Sequence, residues 1–323
     1  WQTDQNGKRF ERNARVSSYH QPMFQLMHYW NPNDKWQVNT TLYYWFGKGG
    51  STALEWGEAA DPRPDYYKNL PSYYKYMLDL GKEGYTQQGY IDYTNQWIND
   101  VNMHQIDWDK LYAANSRNLK TINNANNGDL GTVQGYFSKY IVEERRQDKN
   151  QYGLSSTFKY EINPNTHLYG GVKAGISKTH YYKKVADLLG GDYYLDIDKY
   201  ADGEAFDITD DQQTNIRNKN HVATVGDIIT YNYIANVNKV IGWGELTYVK
   251  SHWSTYVGVE ANYTQIYRTG NFENGRFLGN ESYGDSRKLN LINGSFKVGG
   301  SYAINGRNYV FANVMLKSEA PEF

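Results

Sequence analysis

Met23-Phe24-Gln25-Leu26-Met27-His28-Tyr29-Trp30, the four residues Asn31-Pro32-Asn33-Asp34, and Trp36-Gln37-Val38-Asn39-Thr40-Thr41-Leu42-Tyr43-Tyr44-Trp45-Phe46 are the stretch that decides the fold. In the first run Phe24, Leu26, His28 and Trp30 share one parity and Met23, Gln25, Met27 and Tyr29 the other. That two-residue period belongs to a strand. Asn31-Pro32-Asn33-Asp34 is turn chemistry, because proline pre-sets φ and Asn and Asp tolerate the remaining turn geometry. In the second run Trp36, Val38, Thr40, Leu42, Tyr44 and Phe46 fall on one face, and Gln37, Asn39, Thr41, Tyr43 and Trp45 on the other. An outer face with aromatic ends and an aliphatic middle is the profile of a strand that crosses a bilayer.

The same unit recurs along the chain. Leu154, Ser156, Phe158, Tyr160 and Ile162 lead into Asn163-Pro164-Asn165-Thr166, and Leu168, Gly170, Val172, Ala174 and Ile176 lead out, with Ser155, Thr157, Lys159, Glu161, Lys173 and Ser177 on the opposite parity. Val240, Gly242, Gly244, Leu246 and Tyr248 pair across Lys250-Ser251-His252 with Trp253, Thr255, Val257, Val259, Ala261 and Tyr263. A last pair, Ile292 to Tyr302 and Val310 to Leu316, turns at Asn305-Gly306, a dipeptide suited to a type I′ hairpin. Connections of a few residues alternate with long ones near 47–134, 183–227 and 270–287. About ten strands are expected, one of them near 135–147 and another near 8–20. Short turns at one end and long loops at the other describe a membrane β-barrel, whereas a β-sandwich keeps most connections short. Alternation with exposed tyrosine also suits a secreted or surface-attached glycan-binding β-sandwich, so the pattern leaves both architectures open.

Composition narrows the function. A chain of 323 residues is long enough for two ordinary domains, although all-β barrels often run that long as one. Lys plus Arg is 34 against 35 Asp plus Glu, so no positive field draws nucleic acid. The absence of cysteine removes disulfides, thiolate metal sites and thiol catalysis together. With 32 Tyr, 9 Trp and 11 Phe at a mean hydropathy of −0.81, the rings are mostly amphipathic, which suits an interface with lipid or with sugar-like ligands. No run approaches the roughly 20 apolar residues of a spanning helix.

No catalytic set emerges, and neither an enzyme nor a cofactor is expected. Gly170-Gly171-Val172-Lys173-Ala174-Gly175 has glycines of a phosphate loop, but Ile176 stands where the lysine belongs, and strand residues surround it. The seven histidines, His20, His28, His104, His167, His180, His221 and His252, are dispersed without metal-ligand spacing. Asp196, Asp198, Asp202 and Glu204 could offer oxygen ligands to calcium, although a solvated acidic loop explains them as well. Glu161, Glu245 and Glu260 are expected to face a polar lumen. For ligand capture the candidates on the long loops are Trp56, Arg63, Tyr66, Tyr67, Tyr73, Tyr74, Tyr193 and Tyr194; the alternative is that these rings pack the loops against themselves.

Several segments resemble the barrel portion of TonB-dependent receptors from the outer membranes of Bacteroides-type bacteria. They are Asp61-Pro62-Arg63-Pro64-Asp65-Tyr66-Tyr67, Leu70-Pro71-Ser72-Tyr73-Tyr74, Ile106-Asp107-Trp108-Asp109-Lys110-Leu111-Tyr112, Tyr140 to Arg146, Tyr263 to Gly270, and Ile304 to Tyr309 with Ala320-Pro321. The resemblance runs almost end to end. It implies part of an antiparallel transmembrane β-barrel in the bacterial outer membrane, with short periplasmic turns and long extracellular loops, that binds and imports a nutrient using energy from TonB. It implies as partners outer-membrane lipid, the nutrient, the TonB system and a surface lipoprotein. Such receptors carry a plug inside about 22 strands. Here no plug is recognisable, the strands are too few to close such a barrel, and Glu319 to Phe323 does not read as a final membrane strand. The expectation is a single barrel domain over 1–323 that is an internal fragment, without the plug region that contacts TonB.

Overall fold

The computed structural model describes residues 2–3, 9–10, 13–57, 59–201 and 208–321. We label its principal strands β1 (Ser17–His20), β2 (Met23–Asn33), β3 (Trp36–Glu55), β4 (Ile141–Asn163), β5 (Thr166–Asp187), β6 (Ile228–Lys250), β7 (Trp253–Gly270), β8 (Leu289–Ala303) and β9 (Tyr309–Lys317). All pair antiparallel with their neighbours in one open sheet of order β9-β8-β7-β6-β5-β4-β3, with β1 and β2 end to end along the far side of β3. A tenth strand, Gly284–Asp285, adds to the end of β7. Gln21 and Pro22 divide β1 from β2; proline brings no N–H to the ladder, but its carbonyl still accepts from the Phe46 N–H at 3.2 Å.

The register lines up the expected faces row by row. Val38 opposes Phe158, Phe158 opposes Gly170, Gly170 opposes Gly244, and the row continues through Val259 and Phe296 to Leu316. Leu42, Leu154, Ala174, Val240, Tyr263 and Ile292 form another row on the same face. Below them lies a rim with Trp36, Tyr160, Trp253 and Tyr302; above lies Tyr44 beside Tyr152. Trp36 stacks on Tyr160 with ring centroids 4.5 Å apart, and Trp253 meets Tyr302 at 4.7 Å. From Trp253 to Tyr263 is about ten residues, or about 33 Å of strand, which at a tilt near 45° spans roughly 23 Å. That matches the apolar band of about 25 Å on membrane barrels. Directly above it the same face becomes polar: Asn238 donates to Gln265, and Gln265 and Tyr263 both donate to Asn290.

Four strands continue well past this band. β3, β4, β5 and β6 run for 20, 23, 22 and 23 residues, about twice what a bilayer needs. The loops therefore begin later than the sequence suggests, spanning 56–140, 188–227 and 271–288. Polar and charged residues populate the extensions, and ion pairs within β4 and from β5 to β4 join them, which the apolar periodicity cannot register. Arg146 bridges Glu144 at 2.6 Å and Asp148 at 2.8 Å, and Lys184, opposite Glu144 in the ladder, reaches it at 2.8 Å.

The turn after β8 also departs from expectation. It spans five residues, and neither Asn305 nor Gly306 adopts the positive φ of a type I′ turn. Instead the Asn305 side-chain oxygen accepts from the Arg307 and Asn308 N–H groups, both at 3.0 Å, so that side chain closes the turn.

The first long loop contains three helices: α1 (Pro71–Asp79), α2 (Gln87–Asn99) and α3 (Trp108–Ser116). Local capping explains each. Pro71 takes the first helical position, where its missing N–H costs nothing. Thr86 accepts from the Gly89 N–H and Asp107 from the Lys110 N–H, both at 3.0 Å. No helix of the described residues is long and apolar enough to cross a membrane. The hydrophobic cores lie within this loop assembly and where it meets the extended ends of β3 to β6, not between sheet layers. One gathers Leu54, Trp108, Leu111, Tyr140, Val142 and Leu189, a second Ile122, Phe137, Tyr193, Leu195 and Val222, and a third Ile141, Val185, Tyr194 and Ile229.

Candidate functional site

The loop assembly encloses a cleft of about 820 Å³. One wall is the segment carrying Asp61, Pro62, Pro64 and Asn69, a second is Tyr93 and Trp97 of α2, and a third runs from Asn102 to Leu111 with Tyr140 behind. Tyr93 and Trp97 stand four residues apart, hence on one helix face. The Tyr93 hydroxyl donates to the Asn69 carbonyl at 2.7 Å, fixing α2 against the first wall. Trp97 meets His104 edge-on at 4.8 Å. Burial pushes the Tyr93 phenol above its ordinary value, and burial with the nearby Asp61 charge does the same at Tyr140. Both hydroxyls therefore stay protonated at neutral pH. Tyr140 donates to the Ala60 carbonyl at 2.9 Å.

Asp61 is clamped by Arg63. Guanidinium Nε lies 2.9 Å from one carboxylate oxygen, and Nη2 2.5 Å from the other. The arginine hydrogen bond holds the Asp61 carboxyl below the usual range. The Arg63 guanidinium also lies 5.0 Å from the Trp56 ring centroid. Asp107 is committed to the α3 cap, while Asp109 and Lys110 are exposed at the mouth. The cleft thus offers flat rings, carboxylates and amides, a lining for a polar ligand with an apolar face. Among the described residues no three His, Asp or Glu side chains gather at metal-binding distance.

The sequence candidates are distributed differently from the cleft. Tyr66, Tyr67 and Tyr73 form a chain of edge-to-face contacts at 4.8 and 5.5 Å. Tyr73 and Tyr74 line a second hollow of about 380 Å³ with Lys68 and Tyr85, and Tyr93 borders both hollows. Tyr193 and Tyr194 are 2% and 4% exposed and belong to two of the cores, so these two rings pack the loops rather than meet solvent. Of the residues that line the larger cleft, Tyr93 and Trp97 are outside the sequence candidates, and Asp107, Asp109 and Lys110 figure there only in the segment Ile106 to Tyr112 that carries the resemblance. Their signal was the spacing of Tyr93 and Trp97 and the capping aspartate of Asp107-Trp108-Asp109.

Asp196 and Asp198 serve structure. The Asp196 carboxylate is 1% exposed and accepts from the Thr214 hydroxyl at 2.7 Å and the Thr230 N–H at 2.9 Å, where Thr230 holds a φ of 66°. Asp198 pairs with Arg276. Asp202 and Glu204 lie outside the described residues. Glu161, Glu245 and Glu260 all fall on the face opposite the apolar band, by register with His167, Tyr169 and Trp243 respectively. Glu245 is ion-paired with Lys297, and Glu260 accepts from Asn262 at 3.2 Å.

No known protein family matches the chain, and no curated protein matches it in sequence. Among solved structures it is similar to the ferric citrate transporter FecA in the unliganded form, at 8% identity and a TM-score of 0.38 over 94% of this chain. The chain spans about a third of that protein's length, 36%.

Proposed function

We propose that this chain is part of the barrel wall and extracellular cap of a TonB-dependent nutrient receptor of the Bacteroides type in a bacterial outer membrane. The observation that carries the reading is the apolar face. It is continuous across seven strands, aromatic along its lower rim and at Tyr44, Tyr152 and Tyr263 near its upper edge, one bilayer tall, and polar above Tyr263 on β6 to β8. A water-soluble sheet would cover such a face with a second layer. Among the described residues nothing covers Leu42, Val172, Val240 or Ile292, which are 50%, 54%, 52% and 84% exposed. The cleft above the sheet is then the first contact for the nutrient, and the polar face borders its route inward. Coupling to TonB and a surface lipoprotein partner rest on the sequence resemblance.

The reading is tested with the native protein in vesicles containing brominated lipids. Trp36 and Trp253 sit on the apolar face at its rim, whereas Trp97 lies in the cleft. With single-tryptophan variants, bromine is expected to quench Trp36 and Trp253 but not Trp97. Absence of quenching at Trp36 and Trp253, together with a monodisperse protein in plain buffer, would instead favour a secreted binding protein.

A further inference from the structure

The polar face of the sheet carries a further hollow whose lining shares no residue with the cleft. Between β3 and β6 a hollow of about 170 Å³ is bordered by Tyr43, Gln151, Lys173, Ser177 and Lys239. Every one of these side chains can donate a hydrogen bond. Val237 and Ile241 complete the wall, and no carboxylate borders it. Lys239 opposes Gly175 in the ladder and Lys173 opposes Ile241, so the two lysines are diagonal neighbours on one face, with backbones about 7–8 Å apart. Among the described residues neither makes an ion pair. Glu319, near enough to feel the Lys239 charge, is bound to Lys317 at 2.6 Å.

Unmet hydrogen bonds cluster beside the lysines. Thr264, directly opposite Lys239, and Asn262, directly opposite Ile241, are 3% and 6% exposed. The Thr264 hydroxyl and the Asn262 side-chain oxygen are buried without a partner. Asn293, the next residue in the Asn262 row, has a buried amide nitrogen in the same condition. Gly175 supplies the floor. A Cβ there would come within 2.9 Å of the Tyr43 hydroxyl, so any side chain would displace that donor.

Two ammonium groups at this spacing repel, and an oxyanion between them turns the repulsion into two charge-assisted hydrogen bonds. The hollow has room for about five water-sized groups, enough for one carboxylate or phosphate with its hydration. We infer that Lys173 and Lys239, with the Tyr43 and Ser177 hydroxyls and the Gln151 amide, form an oxyanion-binding site on the polar face of the sheet. Its occupant is a single carboxylate or phosphate group. That group comes either from a free solute or from an acidic side chain of a polypeptide segment seated against this face. The site is formed by adjacent strands of one sheet and does not depend on the membrane reading.

The test is acylation of lysines in the native full-length protein by a charged, amine-specific reagent, read by mass spectrometry with and without inorganic phosphate. Lys159 lies on the same face and does not border the hollow, so it serves as the reference. If the occupant is a free anion, phosphate slows acylation of Lys173 and Lys239 several-fold and leaves Lys159 unchanged. Lys239→Gln then removes the protection at Lys173. If the occupant is a resident carboxylate, both lysines react several-fold more slowly than Lys159 without phosphate, and carbodiimide joins one of them to an aspartate or glutamate. The proposal is overturned if both lysines react at the Lys159 rate, with and without phosphate, and no cross-link forms. It is equally overturned if phosphate slows all three alike, which is general salt screening.

Discussion

Asn115 shows how much one buried side chain can hold. It has no accessible surface, and its amide nitrogen donates to the carbonyls of Tyr140, Leu188 and Leu189 at 2.7 to 3.1 Å. Its oxygen accepts from the Lys139 and Tyr140 N–H groups at 2.9 and 3.1 Å. The residue therefore ties α3 to the start of β4 and the end of β5. Asn115→Ala takes the side-chain partner from the Tyr140 and Leu189 carbonyls and the Lys139 and Tyr140 N–H groups, while the Leu188 carbonyl keeps the Ser138 hydroxyl; each unsatisfied buried group costs about 1–3 kcal/mol before relaxation. The expected loss is about 3 kcal/mol or more of local stability. It is read as faster proteolysis within 56–140 while the sheet stays intact; unchanged cleavage would show that water replaces the side chain.

Titration at Glu144 belongs to the same scale. Burial raises this carboxyl, but hydrogen bonds from Lys184 and Arg146 outweigh it and hold the group below its ordinary 4.5. A lowered native pKa means the contribution is complete above pH 4.5 and is lost as pH falls through the native value. Cleavage of the β4 extension by an acid-active protease is expected to rise in that window. Lys184→Gln replaces the ammonium by a neutral amide, so the onset should move to higher pH; an unmoved onset would mean that the ion pair does not hold the extension.

At the scale of the element, the two faces of each strand make opposite demands. Val172 lies in the middle of the apolar band and is 54% exposed, while Thr157, opposite Gly171 in the ladder, lies on the polar face. Val172→Arg or Val257→Arg is expected to cost assembly roughly 2 to 4 kcal/mol if the band sits at the bilayer midplane. Thr157→Arg should cost much less, because a wet face accepts charge. Equal losses in a refolding titration into lipid would remove the distinction between the faces. Strand identity and parity were legible because a half-buried strand must alternate. The helices were less so, since α1 and α2 have no fully buried residue and their rings read equally well as loop aromatics. The strand extensions were not legible for a related reason: they run from charged stretches such as Glu143 to Asp148 into adjacent apolar pairs such as Ile141-Val142, so strict alternation stops, and the Lys184–Glu144 ion pair spans the ladder there.

For the whole molecule the main fact is an open sheet. Along β2 and β9 every residue is exposed, and each strand pairs on one side only among the described residues. Lipid offers no hydrogen bonds, so such edges must be paired inside a bilayer. Under the proposed function, amides that point away from the sheet on β2 and β9 are therefore expected to exchange rapidly in this chain alone and slowly in the protein assembled in lipid. Rapid exchange in the native protein would contradict closure by further strands.

The pairing of strands across the short turns, the facing of Leu42, Val172, Leu246 and Val298, and the alternation of short turns with long loops were determined by the sequence. Each follows from local periodicity and turn chemistry, which act over a few residues. Tertiary structure alone decided that Tyr193 and Tyr194 are core, that Asp196 braces a strained threonine, and that Asn115 joins three elements. It alone brought Tyr93, Trp97 and Asp61 around one cleft and set Lys173 diagonal to Lys239. These contacts join residues many tens of positions apart, and their energies depend on burial and on hydrogen-bond partners that no local pattern specifies.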